Sequence, residues 1–273
     1  MDRRNFTRLC SSLVAGASAL SLGLPNSKAS ANSNGISTDA SSTDTGAEGA
    51  YPACRLLDSG GQPLTVSSLA EGSSNIFSYP YKTTPCFLLR LSSVNVNRQL
   101  LSEPESVSND EGKVVLNDSK GNSYEWKGGI GPQSSIVAFS AICTHKMSHP
   151  AKPVSHLNFR PEEKVFRDYT GNTTKASELI YCCSEHSVYD PAAGARVLSG
   201  PASQPLAAIE LMVNQNDEIQ AVGTYGSDMF EIFLEKFGFR QAMEQGIANP
   251  YELVGDSVRI TEAEQYSKQQ ILC

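Results

Sequence analysis

Histidine is scarce in this chain: four in 273 residues, at His145, His149, His156 and His186, with none beyond. Tryptophan occurs once and charged residues make up only 19%. The apolar run Leu9 to Leu24 falls short of the roughly 20 residues that a membrane-spanning helix needs, and no other segment is as apolar. No glycine-rich phosphate loop is present, and no convincing nucleophile–base pair stands out. Long amphipathic helical patterns are rare before residue 227. These absences argue against a multispanning protein, a nucleotide-binding enzyme and an all-helical one. With 40% apolar residues, 21 glycines and 14 prolines, the composition is that of a soluble, β-rich protein with long loops.

The N-terminus carries an address. Arg3 and Arg4 precede Phe6 and the apolar run, and Ala29-Ser30-Ala31 offers the small residues that a signal peptidase needs. Residues 1–31 resemble a twin-arginine export signal, which implies a protein folded, often with its metal cofactor, before export to the periplasm or an equivalent compartment. Cleavage is the expectation; a retained signal would act as a membrane anchor. Removing Arg3, Arg4, Arg8, Lys28 and Asp2 leaves 18 basic and 28 acidic residues, a net −10 with histidine neutral. Such a surface repels nucleic acid and favours basic partners.

Residues 32–50 form a Ser/Thr/Asp-rich tract with almost no large apolar group, expected as a flexible linker. From Tyr51 onwards NIFSYP, PCFLLRL, KVVLND, SYEW and SIVAFSAI read as antiparallel strands, and IELMV with EIQAVG as a hairpin. An insert at 148–180, with Pro150, Pro153 and Pro161, reads as a loop excursion. Beyond residue 227 the spacing of Phe230, Phe233, Leu234 and Phe237 predicts a helix packed on the β-domain, with Asp228 and Glu231 as its capping box. The fold class is therefore mainly β, with a helical C-terminal extension over 227–273.

Six cysteines remain once Cys10 leaves with the signal: Cys54, Cys86, Cys143, Cys182, Cys183 and Cys273. Cys54 and Cys86 read as a bridge or two buried thiols. Two cysteines stand at fixed offsets from histidines, as Cys143-x-His145 and Cys183-x-x-His186, each where a strand enters a loop. Two thiolates and two imidazoles suit Zn²⁺ or an iron–sulfur centre. Zinc fingers normally pair Cys with Cys and His with His; mixed pairs fit a dinuclear cluster whose two irons differ. His149 and His156 read as solvated loop residues.

CTH followed by CxxH resembles the Rieske [2Fe–2S] proteins. VAFSAICTH is similar to their first cluster loop, including that of the small subunit of arsenite oxidase. YDPAAGARVLSGPASQPL resembles the segment from second cluster loop to proline loop, with Gly200-Pro201-Ala202 at its centre. The resemblance covers about 51–226, most specifically 136–206. It implies an antiparallel β-sandwich base with a small cluster-binding subdomain and one [2Fe–2S] cluster per chain. Cys143 and Cys183 would hold the inner iron, and His145 and His186 the outer one, with a potential of roughly −150 to +300 mV. Ser187 and Tyr189 align with hydroxyls that hydrogen-bond the cluster. Ser148 and Glu185 fall where respiratory Rieske proteins carry a loop-to-loop disulfide, and the glycine expected after His186 is missing. Glu185 beside the outer iron is expected to lower the potential.

No histidine follows His186, so the mononuclear iron site of ring-hydroxylating oxygenases has no ligands here. The resemblance implies an exported electron-transfer subunit that turns over no substrate alone. Its redox partner would be a molybdopterin oxidoreductase subunit, a cytochrome c or a cytochrome b complex. The alternatives are the Rieske subunit of a membrane quinol–cytochrome c reductase and, more remotely, a zinc-stabilised structural or binding module.

Overall fold

The computed structural model describes residues 51–92, 114–118, 120–226 and 228–273. The signal at 1–31 and the linker at 32–50 lie outside them.

PCFLLR and IVAFS are apolar at almost every position, which a half-exposed strand never is. The reason is burial on both faces. Strands β3 (Pro85–Arg90) and β6 (Ile136–Ser140) pair antiparallel, Leu88 opposite Ala138 and Phe87 opposite Phe139. Cys86, Leu88, Ile136 and Ala138 point into one core, while Phe87, Leu89, Val137 and Phe139 point into a second. The period-2 alternation of side chains thus divides one continuous apolar run between two cores.

These strands sit in an eight-stranded sheet. Its other members are β1 (Cys54–Leu57), β2 (Ser74–Ser78), β13 (Ala208–Val213), β14 (Ile219–Tyr225), β15 (Ser257–Arg259) and β16 (Thr261–Glu262), in the order β15-β1-β14-β13-β6-β3-β2-β16. Every neighbouring pair is antiparallel except β15 with β1. The two edge strands come from one short segment, residues 257–262, so the sheet curls until its edges are joined through it. That closure hides edge backbone that would otherwise template foreign pairing. The expected hairpin of IELMV with EIQAVG is β13–β14.

A four-stranded antiparallel sheet covers the second core. It comprises β7 (Leu157–Arg160), β10 (Leu179–Cys182), β11 (Ser187–Asp190) and β12 (Arg196–Ser199), in the order β12-β11-β10-β7. Two hairpins stand apart, β4 (Val114–Asn117) with β5 (Ser123–Trp126) and β8 (Lys164–Arg167) with β9 (Thr173–Ala176). The segment 148–180, read from its prolines as a loop, therefore holds three whole strands and half of a fourth. Its strands are short and largely polar on one face, and the turn between β8 and β9 is set by Asp168, whose carboxylate accepts the N–H groups of Thr170 and Asn172.

Helix α1 (Met229–Gln245) buries Met229, Phe230, Phe233 and Leu234 in the first core, with Phe237 partly buried beside them. Asp228 is its N-cap residue but makes no side-chain capping bond; Glu231 instead accepts the hydroxyls of Tyr51 and Tyr81. Gly246, in the left-handed conformation, ends the helix. After it the chain is not helical as expected. It supplies β15 and β16, one further turn (Ala263–Tyr266, α2), and a tail that runs beside residues 151–158.

Candidate metal centre

Two loops meet at one end of the second core. The first leaves β6 and contains Cys143–Ser148; the second is the four-residue turn Cys183–His186 between β10 and β11. Each is closed on its own backbone. Cys143 N–H donates to Ser148 O and Met147 N–H to Cys143 O, both at 2.8 Å. In the second loop, Glu185 and His186 N–H donate to Cys182 O at 3.3 and 2.6 Å.

Cys143 and Cys182, both fully buried in the second core, lie close enough for each thiol to shift the other's pKa. The backbone N–H groups of His145 and Lys146 point at the Cys143 sulfur, and those of Ser184 and Glu185 at Cys182. The Tyr189 hydroxyl lies 3.2 Å from Cys143 Sγ. It also accepts the Thr144 N–H and lies 3.2 Å from Thr144 Oγ1, so its proton has both the sulfur and that oxygen within reach. The thiol of Cys182, aided by Tyr189 and the two amides, lowers the pKa of Cys143 against the opposing effect of burial. The Cys143 sulfur, together with burial, raises the pKa of Cys182.

His145 and Glu185, one from each loop, face each other with side chains 28% and 24% exposed. His145 Nδ1 is buried and has no hydrogen-bond partner among the described residues. Glu185 Oε2 stands 3.5 Å from it, and Glu185 Oε1 lies 3.4 Å from Lys146 Nζ. Among the described residues no three His, Cys, Asp or Glu side chains form a metal-binding group; the donors come as two pairs.

Cys183, expected as a ligand, is joined by a disulfide to Cys273, and Cys182 takes the place beside Cys143. Strand register is the physical reason. Cys182 pairs with Ser187 and faces the second core, so the next residue, Cys183, faces the other side. Its N–H goes to His156 O at 2.7 Å. His186 is exposed and holds the positive-φ corner of the turn (φ 61°). Cys182 is buried in the second core beside Ile180 and stands five residues before Ser187.

Compared with solved structures, the chain is similar to the soluble domain of the Rieske protein II (soxF) from Sulfolobus acidocaldarius. The identity is 22%, over 65% of this chain and 81% of that one, with a TM-score of 0.37. No protein-family model matches the sequence, and no curated protein matches it.

The surrounding residues complete the cradle. Ser187 is fully buried and its hydroxyl oxygen accepts the Ala202 N–H at 3.2 Å. Gly200 (φ 87°) passes so close to the second loop that a Cβ there would lie 2.4 Å from His186 O, which requires glycine. Pro201 is exposed beside it. Ser148 contributes its carbonyl oxygen to closing the first loop. His149 is no solvated loop residue. Gln241 on α1 donates to its Nε2 at 2.9 Å, and its Nδ1–H donates to Met147 O at 2.7 Å. Its ring packs edge-on against Phe233 and Phe237, 4.8 and 5.4 Å between centroids, and burial lowers its pKa. His156 is half-buried and lends its carbonyl to Cys183.

Of the cysteines outside the site, Cys54 and Cys86 are two separate buried thiols. Burial raises both pKa values, that of Cys54 to about 11.

Proposed function

We propose that this chain is an exported Rieske-type [2Fe–2S] electron-transfer protein, the iron–sulfur subunit of a periplasmic oxidoreductase. One observation carries the reading. One loop carries, two residues beyond a cysteine that interacts with a second buried cysteine, a histidine whose Nδ1 is buried without a hydrogen-bond partner among the described residues. An orphaned buried acceptor costs roughly 1–3 kcal/mol unless something binds it, and thiols ringed by backbone N–H groups are set to carry negative charge. The residues fit the cluster: Cys143 and Cys182 would hold one iron, and His145 with a donor from the second loop the other. A dinuclear cluster takes ligands two and two, as they are grouped here, whereas a zinc ion draws all four to one point.

When bound, the cluster supplies one-electron transfer. The chain's own groups set the conditions. The Tyr189 hydroxyl, 3.2 Å from Cys143 Sγ, and the four loop amides would donate to the sulfurs, so that added electron density is stabilised where it collects. Met147 and Pro150 are buried beside the first loop, and Gly200 allows residues 200–202 to close over the second. Both thiols are fully shielded from water within the second core. The His145–Glu185 rim, about one-quarter exposed, is where a partner protein would approach.

The twin-arginine-like signal and the acidic mature surface support export and a partner with a basic docking face, such as a cytochrome c or a molybdopterin subunit. The test is anaerobic purification of the full chain from its native cell. Two iron and two acid-labile sulfide per chain, with a redox protein co-purifying, are expected. Zinc in place of iron would contradict the proposal.

A further inference from the structure

We infer that the fourth ligand of the cluster is the carboxylate of Glu185, so that one iron is held by Cys143 and Cys182 and the other by His145 and Glu185. This rests on the [2Fe–2S] reading above and names its ligands.

The two loops are built alike, and the likeness fixes their register. In each, the backbone N–H groups two and three residues beyond a cysteine point at its sulfur: His145 and Lys146 for Cys143, Ser184 and Glu185 for Cys182. In each, the residue four beyond adopts positive φ, Met147 at 62° and His186 at 61°. That residue's N–H returns to the cysteine carbonyl, at 2.8 and 2.6 Å. Cys182 is therefore the counterpart of Cys143. Cys183 is not, and its sulfur is already bonded to Cys273.

The second-loop side chain that reaches His145 is Glu185, three residues beyond Cys182. His186 occupies the corner and is exposed. Glu185 Oε2 lies 3.5 Å from the partnerless His145 Nδ1. That is long for a hydrogen bond, whose usual N···O span is about 2.7–3.2 Å. It suits two ligands on one tetrahedral ion, which at bond lengths of about 2.0–2.2 Å stand about 3.4 Å apart. The other oxygen, Oε1, is turned to Lys146, so Oε2 is left for the metal. An ordinary surface ion pair accounts for the Lys146 contact but leaves the buried Nδ1 unexplained. The carboxylate adds a negative charge that a second imidazole would not, and this favours the ferric state. Lys146 offsets part of it.

Pulsed EPR on the dithionite-reduced full-length protein counts the nitrogens coupled to the cluster, alongside iron and sulfide analysis. Wild type is expected to show one strongly coupled imidazole nitrogen. H186Q should keep its iron, sulfide and spectrum. E185Q should lose most of its cluster, at least several-fold. E185H should retain iron, gain a second coupled nitrogen and titrate at a higher potential. Cys182→Ser should lose the cluster, while a Cys183→Ser/Cys273→Ser double variant keeps it. Two coupled nitrogens in wild type, or one lost in H186Q with E185Q unchanged, would overturn the assignment and leave the electron-transfer reading standing. Wild type without iron and labile sulfide would overturn both.

Discussion

Tyr189 shows how much one side chain decides at this site. Its ring is fully buried in the second core, and its hydroxyl is held between Thr144 N–H and Cys143 Sγ. The bond to sulfur strengthens as the site gains an electron, so Tyr189→Phe should lower the reduction potential while the iron content is unchanged. The expected drop is about 60 mV for each 1.4 kcal/mol by which the bond differs between the two oxidation states. Protein-film voltammetry reads this directly, and an unchanged potential would contradict the role given to the hydroxyl. Motif spacing alone picks out Tyr189, Ser187, Cys143 and His145 as candidate site residues. The meeting of Cys182 with Cys143 was not legible. A CxxH match at Cys183–His186 looks complete and needs only a lost glycine to reconcile it with Ser187. The structure accommodates the stretch without a loss: His186 stands at the positive-φ corner that favours glycine, and Cys182 faces inward. A one-residue choice of register inverts which cysteine is buried, and no residue count within the loop alone reveals it.

At the scale of elements, two long-range ties hold the loops. His149 joins the first loop to α1 through Met147 O and Gln241, and its ring lies against Phe233 and Phe237. It is neutral when folded. Burial, opposed by Met147 O and Glu244 but aided by Arg240, holds its pKa below the usual 6.5. The unfolded chain therefore binds a proton here before the folded one does. This contribution to stability is complete above about pH 6.5 and is lost as pH falls from there through the folded value. Urea unfolding at pH 7.5 and 5.5 should show a drop in stability that is smaller in His149→Gln; equal drops would refute the coupling. The second tie is the Cys183–Cys273 disulfide, closing 90 residues of chain. The tail before it is laid down by Ser155 N–H to Gln269 O, Ile271 N–H to Ser155 O and Asn158 Nδ2 to Ile271 O, at 2.8 Å each. Cys273→Ser should cost up to about 4–5 kcal/mol of stability yet leave the cluster in place. Loss of the cluster at full stability would reverse that assignment. The phenylalanine stripe of α1 was legible from its helical spacing. The tail was not, because its contacts join residues more than a hundred positions apart with no pattern of their own.

For the whole molecule, the order of strands gives the site its rigidity. The apolar runs of β3 and β6 announced a mainly β protein, and the structure is one. What local pattern did not reveal is that residues 257–262 serve both edges of the main sheet, since three-residue and two-residue strands carry no periodicity. The same chain that closes the sheet ends on the second cluster loop, so folding of the C-terminus and shaping of the site are coupled. N-terminal sequencing of protein from the native cell should give a start just after Ala31, and an intact Met1 in the membrane fraction would point instead to a retained anchor. The account's central claim is that Cys143 and Cys182, with His145, hold a [2Fe–2S] cluster. EPR of the full-length, anaerobically purified protein tests it most directly. A Rieske-type signal that appears on dithionite reduction, vanishes on oxidation and is absent from His145→Ala and Cys182→Ser is the result expected. A protein silent in both states, or a signal that survives in Cys182→Ser, would contradict it.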